Sequence, residues 1–277
     1  MVNCNYIHLD EYQFFRIVVS EKKHKSRIIL QPICQRIEQA YLTYLNDFDS
    51  LCGQPESHFA TDDQNIRTAL QKCYSSSTNS FTQFRANYYN HQPPAVRDLC
   101  PYCMIDTPYT LDHYVGQTEF PEYSILTKNL LPCCFKCNQQ KNETWRSNNV
   151  KTFLNFYDDR FLQYPFLIAD MQFIRNIAIL SFTLIQPAEI NNLQFALINR
   201  HFSALGLLEK YNKKSNNRLS SEIKTIQYMM GDGWIDADIR AQLLARYNGF
   251  SIQYGPNYWE CHIYKALADH LTEIRLL

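Results

Sequence analysis

The stretch that decides how this chain is read is Cys100-Pro101-Tyr102-Cys103, followed by Leu111-Asp112-His113-Tyr114, Asn129-Leu130-Leu131-Pro132 and Cys134-Phe135-Lys136-Cys137-Asn138-Gln139-Gln140-Lys141. Two Cys-x-x-Cys pairs of this spacing can supply four thiolates to one tetrahedral zinc ion. Such a closed site is structural and leaves no open position for chemistry. It can, however, clamp the loop between the pairs, and that loop carries an acid, a histidine and two asparagines. Cys133 is the spare beside Cys134, and the two-residue gap to Cys137 favours Cys134 as the ligand.

Spacing also suggests local structure. Residues 104–111, with Pro108 in a turn, are expected to form a first hairpin arm that ends at Asp112 and His113. A helix starting near Phe135 would set Asn138, Lys141 and Trp145 on one face.

These residues resemble an HNH endonuclease module of the ββα-metal type. More narrowly, Leu111-Asp112-His113-Tyr114 with Phe120-Pro121-Glu122-Tyr123-Ser124 and Asn129-Leu130-Leu131-Pro132 is similar to a bacterial HNH group found beside defence genes and related to Septu-type nucleases. The core resemblance spans Cys100 to Trp145. A weaker similarity continues through Phe153-Leu154-Asn155-Phe156-Tyr157-Asp158, His201-Phe202 with Leu205-Gly206-Leu207, and Gly255-Pro256-Asn257-Tyr258-Trp259-Glu260. One departure stands out. After Asp-His-Tyr the group usually reads Leu-Pro-Lys, whereas this chain reads Val115-Gly116-Gln117, losing a rigid proline and a cation that meets phosphate. That touches substrate grip more than chemistry.

The resemblance implies roles for these positions. His113 is the general base, a task that suits an imidazole near its ordinary pKa of ~6.5. Asp112 and the side-chain oxygen of Asn138 hold a catalytic Mg²⁺ or Mn²⁺, a hard cation that takes one or two protein oxygens and keeps several waters. Asn138 stands where many members have histidine. Asn129 holds the histidine-bearing loop by hydrogen bonds to backbone, and Lys141 is a candidate phosphate contact. Cys100, Cys103, Cys134 and Cys137 hold structural Zn²⁺. The implied function is hydrolysis of nucleic-acid phosphodiesters, with DNA favoured and RNA such as tRNA a second substrate, as an effector of antiphage defence. Two rival readings stay open: a non-catalytic zinc module that binds nucleic acid or protein, and a nuclease subunit inert until an ATPase or other defence-system partner engages it.

Composition bounds the rest. The 27 basic and 27 acidic residues cancel, whereas stand-alone nucleic-acid binders usually carry a basic excess. Local basic runs at Lys22, Lys23, Lys25 and Arg27 and at Lys210, Lys213, Lys214 and Arg218 are either phosphate or partner contacts or solvated turns. No secretory signal precedes the ten cysteines, so reduced thiols and a cytoplasmic location are expected. No apolar run approaches the ~18 residues of a membrane span.

The fold class read from the chain is α+β, mostly α-helical, with 1–95 a helical N-terminal region, 96–148 the zinc-stabilised ββα module and 149–277 a mainly helical C-terminal region. Helical stripes fall at Ile33/Ile37/Tyr41/Tyr44/Phe48, at Ile66/Leu70/Cys73, and at Phe81/Phe84 with Ser80 as cap. Beyond the module come a β-like run over Ile177–Ile185 and stripes at Ile190–Leu205, Leu219–Met230, Ile239–Tyr247 (stopped by Asn248-Gly249) and Trp259–Ile274. His201 and His262 read as packing residues within such stripes, and His8, His24, His58, His91 and His270 show no partner spacing.

Overall fold

The computed structural model describes residues 1–61, 63–76 and 78–277, with only the backbone of Ala95 and Val96. Asp62 and Ser77, which fall in the polar connections expected over 52–63 and 75–80, lie outside the described residues. The protein is α+β and mostly helical. It divides into two compact units, one of Cys4–Pro101 with Ile105–Asp158, the other of Met1–Asn3, Tyr102–Met104 and Asp159–Leu277. The first of these units takes in both the N-terminal helices and the motif hairpin, and the second takes in most of the C-terminal region expected at 149–277.

In the first unit, helices α1 (Glu11–Glu21), α2 (His24–Leu30), α3 (Cys34–Asn46), α4 (His58–Thr61), α5 (Gln64–Ser75), α6 (Asn79–His91) and α7 (Pro94–Asp98) precede the motif. Their buried faces follow helical periodicity, as Phe15, Val18 and Val19 do in α1 and Ile37, Tyr41 and Tyr44 in α3. α1 packs on α3 and α6, and α2 packs on α5. The cap of α6 is Thr78 rather than Ser80. Thr78 Oγ1 accepts from the Phe81 N–H, while the Ser80 N–H and hydroxyl both donate to Glu21.

Strand β1 (Thr110–His113) pairs antiparallel with β2 (Leu130–Cys133), placing Asp112 opposite Leu131 and His113 opposite Leu130. Between them run two 3₁₀ turns, Pro121–Ile125 and Thr127–Asn129. Helix α8 (Phe135–Lys141) follows directly, then a two-residue hairpin of β3 (Arg146–Ser147) and β4 (Val150–Lys151). The first arm starts at Thr110 instead of 104, since Cys100 to Pro108 is spent on the cysteine turn, where Met104 has φ 53°.

The second unit contains the β5 (Leu167–Ile174) and β6 (Ile177–Leu184) hairpin and helices α9 (Asn192–Leu205), α10 (Leu207–Gly231), α11 (Asp236–Tyr254), α12 (Trp259–Asp269) and α13 (Leu271–Ile274). α10 packs on β6, and α12 packs on β5 and α11. β5 escaped the sequence reading because only Leu167 and Met171 are buried along it, so alternation is weak. α11 passes straight through Asn248-Gly249 and stops at Gly255, whose φ of 85° is the left-handed conformation that favours glycine. No helix among the described residues is long and apolar enough to cross a membrane.

Some members of the basic runs make structural contacts. Lys22 is 8 % exposed, and its ammonium donates to the carbonyls of Lys72, Cys73 and Ser76 at the C-terminal end of α5, where a cation also meets the negative pole of the helix. Arg218 donates to Tyr264 and pairs with Glu260, and Lys213 pairs with Glu209. Lys22→Ala is expected to cost about 1–3 kcal/mol in chemical denaturation, because it strands buried carbonyls. Lys23→Ala and Lys25→Ala, at exposed positions, should stay within about 0.5 kcal/mol of the parent. Equal effects at all three positions would refute the capping role of Lys22.

Candidate active site and metal centre

The sulfur atoms of Cys100, Cys103, Cys134 and Cys137 all lie within 4.8 Å of one another, and all four residues are buried. These four could hold a metal ion. Among the described residues no other group of three or more His, Cys, Asp or Glu side chains converges in this way. Backbone donors already point at the sulfurs: the Cys134 N–H reaches Cys100 Sγ at 3.2 Å, and the Cys137 N–H reaches Cys134 Sγ at 3.5 Å. Cys133 stays outside the cluster, its thiol pushed up by burial.

The turn that carries Cys103 is fixed by its carbonyls. His201 Nε2 lies 2.9 Å from the Tyr102 oxygen, the Tyr211 hydroxyl donates to the Cys103 oxygen at 3.0 Å, and Trp259 Nε1 donates to the Met104 oxygen at 3.0 Å. His201 is fully buried, which lowers its pKa to about 4, so at neutral pH the ring is uncharged and Nε2 is the donor to that carbonyl. His201 and Trp259 thus have a specific task that their helical stripes do not reveal.

Asp112, His113 and Asn138 line one cavity of about 450 Å³, together with Tyr74, Gln117 and Phe135. The strand pairing and the start of α8 bring the three together from positions 26 residues apart. His113 Nε2 sits 2.9 Å from the Ser124 carbonyl, which can only accept, so Nε2 carries the proton and Nδ1 is the basic nitrogen of the neutral ring. Burial lowers the pKa of His113 to about 4 against the hydrogen bond to Ser124, with Lys141 lowering it further. The ordinary histidine value expected from sequence is therefore replaced by one well into the acid range. Tyr74 packs its ring edge-on against His113, 4.3 Å between centroids, and its hydroxyl donates to the Leu111 carbonyl at 2.7 Å.

Lys141 is not placed for phosphate. Its side chain is fully buried, its ammonium 3.2 Å from both Asp112 oxygens and 2.8 Å from the His113 carbonyl. It locks the carboxylate and the strand end from within. The Asn138 amide N–H donates to Thr110 Oγ1 at 3.1 Å, which leaves its oxygen as the group for a cation. Asp112 and Asn138 thus form an oxygen donor set on a cavity wall, chemically suited to a hard divalent ion that keeps most of its water.

Asn129 does not line the cavity. It is fully buried, and all its hydrogen-bonding capacity is used. Oδ1 accepts from the Val115 N–H (2.7 Å) and the Tyr44 hydroxyl (3.0 Å), while Nδ2 donates to the Val115 (3.1 Å) and Tyr123 (3.2 Å) carbonyls. Glu11 supports the same loop, accepting from the Thr127 N–H at 2.9 Å and from the hydroxyls of Thr127 and Tyr6. The 3₁₀ turn Pro121–Ile125 is anchored outward by Glu122, which accepts from the Ser57 hydroxyl at 2.8 Å, and by the Tyr123 hydroxyl, which donates to the Ala40 carbonyl. Residues that sequence reasoning missed here, Tyr44, Tyr74, Ser57 and Glu11, carry no local motif; each reaches the site from a distant helix or turn.

With that geometry in view, comparison with known proteins adds little. The chain is 22% identical over 222 residues to Protein ea31 of Escherichia phage lambda, covering 73% of this chain and 72% of that protein. No protein-family model matches the chain. No solved structure matches it either.

The Asp112–Lys141 pair makes a sharp expectation. Lys141→Met removes the ammonium paired with Asp112 and leaves a carboxylate that is 2 % exposed without it. Breaking a buried pair from one side costs about 3–5 kcal/mol. Asp112→Asn/Lys141→Met together should recover much of that loss, and a thermal-denaturation double-mutant cycle with no coupling would exclude the pairing.

Proposed function

We propose that this protein is a metal-dependent nuclease of HNH character that hydrolyses nucleic-acid phosphodiesters, DNA or RNA. The observation that carries the reading is one open cavity lined by Asp112, His113 and Asn138, with the histidine's Nε2 spent on the Ser124 carbonyl. That arrangement leaves Nδ1 to take a proton from water. Asn129 keeps the loop in place, and Lys141 keeps the Asp112 carboxylate oriented. Asp112 and the Asn138 oxygen would hold Mg²⁺ or Mn²⁺. Such an ion, when bound, supplies charge stabilisation at the phosphate and at the leaving oxygen. The biological setting that fits this reading is antiphage defence. Zero net charge favours a partner, such as an ATPase, that brings nucleic acid to the site.

Zinc is the ion proposed for the four cysteines. Bonds of ~2.3 Å in a tetrahedral site set the sulfurs roughly 3.8 Å apart, a spacing compatible with the 4.8 Å limit of the cluster. Cys137→Ser is expected to abolish stoichiometric zinc, measured by elemental analysis, and to destabilise the hairpin and α8, since metal binding of this kind is coupled to folding. Wild-type protein purified without chelator and free of zinc would dismiss the assignment.

A second reading keeps the fold but removes the chemistry. The ammonium of Lys141 already balances the Asp112 carboxylate, which favours a module that binds without a catalytic cation. Titration calorimetry with Mg²⁺ and Mn²⁺ on wild type and Asp112→Ala separates the two.

Hydrolysis itself gives the decisive test. His113→Ala should lower the rate by ~100-fold or more with binding retained, as loss of a general base does. The base is active only when neutral, and its pKa lies below the ordinary value. The rate should accordingly stay flat as pH falls through ~6.5 and decline only as it nears about 4. A rate unaffected by His113→Ala, on a substrate that wild type cuts, would remove His113 from the mechanism.

A further inference from the structure

We infer that the cavity over His113 receives an unpaired nucleotide of a single strand, its base stacked on Phe135, instead of a paired duplex. The inference rests on the nuclease reading and specifies what that site grips. It starts from charge. No lysine or arginine among the described residues lines the cavity. Lys141 is buried on Asp112, Lys136 pairs with Asp106 at 3.4 Å, and Arg85 is stacked on Tyr74 at 4.4 Å from the ring. A duplex presents mainly its phosphates, and neutralising them with basic side chains supplies most sequence-independent affinity. This wall offers nothing of that kind.

What it does offer suits a base. Phe135 is 66 % exposed at the first position of α8 and forms part of the cavity wall, an apolar ring held in water beside the catalytic residues. Every base has a face that stacks on such rings, and stacking is tolerant of sequence. The remaining wall is rich in amides, including Gln117, Asn138, Gln139 and Asn142. Gln117 Oε1 is buried, and no donor among the described residues reaches it. A buried acceptor left unpaired is costly, and an N–H on a base edge would satisfy it. In a duplex the Watson–Crick edges are paired and the inner faces stacked, so the Phe135 ring has no free base face to stack on and Gln117 is left only groove-edge donors.

Binding is measured apart from cutting. The wild-type chain, in buffer without added Mg²⁺ or Mn²⁺ so that hydrolysis is suppressed with no chelator acting on the four-cysteine site, is titrated into short fluorescently labelled single-stranded DNA, single-stranded RNA of the same sequence, and the annealed DNA duplex. Fluorescence anisotropy should show at least one single strand bound roughly tenfold or more tighter than the duplex, with a shallow salt dependence. The two single-stranded arms identify the sugar. Phe135→Ala, at an exposed position whose folding is checked by circular dichroism, should weaken single-strand binding by roughly tenfold and leave duplex binding unchanged. Gln117→Leu should weaken it as well, while its backbone carbonyl still accepts from Gln71. Duplex bound as tightly as single strand, no measurable binding of either, or Phe135→Ala without effect would overturn the inference. Single strands that bind as described but are left uncut by wild type in Mg²⁺ and Mn²⁺ would instead bring down the nuclease reading.

Discussion

Asn129 is the joint on which the rest of the hairpin depends. An amide side chain has two donors and two acceptor positions, and here all four are filled by partners from three separate segments. Val115, just beyond β1, is held through both its N–H and its carbonyl, so the strand that presents Asp112 and His113 leaves the sheet in one direction only. The grip on the Tyr123 carbonyl brings the 3₁₀ turn against that exit. Because the side chain is neutral and fully satisfied, it can sit with no exposure at low electrostatic cost. An aspartate there would keep the acceptors and lose both donors.

The charges of the unit are arranged on a different logic. Its buried ions face inward: Glu11 binds the backbone and hydroxyl of Thr127, Lys22 closes the end of α5, and Lys141 ties Asp112 to the strand end. A buried ion pair is weak evidence of stability, since desolvation offsets most of the attraction, but its geometry is restrictive. Here it fixes a carboxylate orientation that a flexible surface acid would not keep. The tyrosines play the same part without charge. The hydroxyls of Tyr44, Tyr74, Tyr89 and Tyr157 reach Asn129 or backbone carbonyls of β1 and β2, which gives a structural use to a chain with 19 of them.

What was legible in the sequence follows from range. The four cysteines, the strand-strand-helix order and α8 were readable because the metal-ligand spacing and the helical period are local properties. The regular amphipathic helices were readable for the same reason. β5 was hidden by its four-residue burial period, and the end of α11 was misjudged because Asn248-Gly249 resembles a stop signal, while the tertiary contact of α11 with α12 carries the helix past it. Within the site, Asp112, His113 and Asn138 were identified as a group, but the state of each was not. The acid shift of the histidine depends on burial, its tautomer depends on Ser124, and the sequestration of Lys141 depends on Asp112 lying across the hairpin. Spacing of i, i+3 places Lys141 on the same face as Asn138, and only three-dimensional packing shows that this face is the inner one.

The turn Pro121–Ile125 serves two surfaces with five residues. Toward the hairpin it presents the Tyr123 and Ser124 carbonyls, one to Asn129 and the other to His113. On its other side Phe120, Glu122 and Tyr123 line a second cavity of about 480 Å³ within the same unit, beside Arg36, Gln39 and Phe59. Glu122, buried there, has its carboxyl pushed up to about 7, within the range where modest changes of surroundings alter its ionisation. Only one peptide unit, that of Tyr123, separates Glu122 from the residue whose carbonyl decides which ring nitrogen of His113 holds its proton. The placement of the proton on His113 is therefore set by the backbone of a short turn whose other side faces a separate cavity.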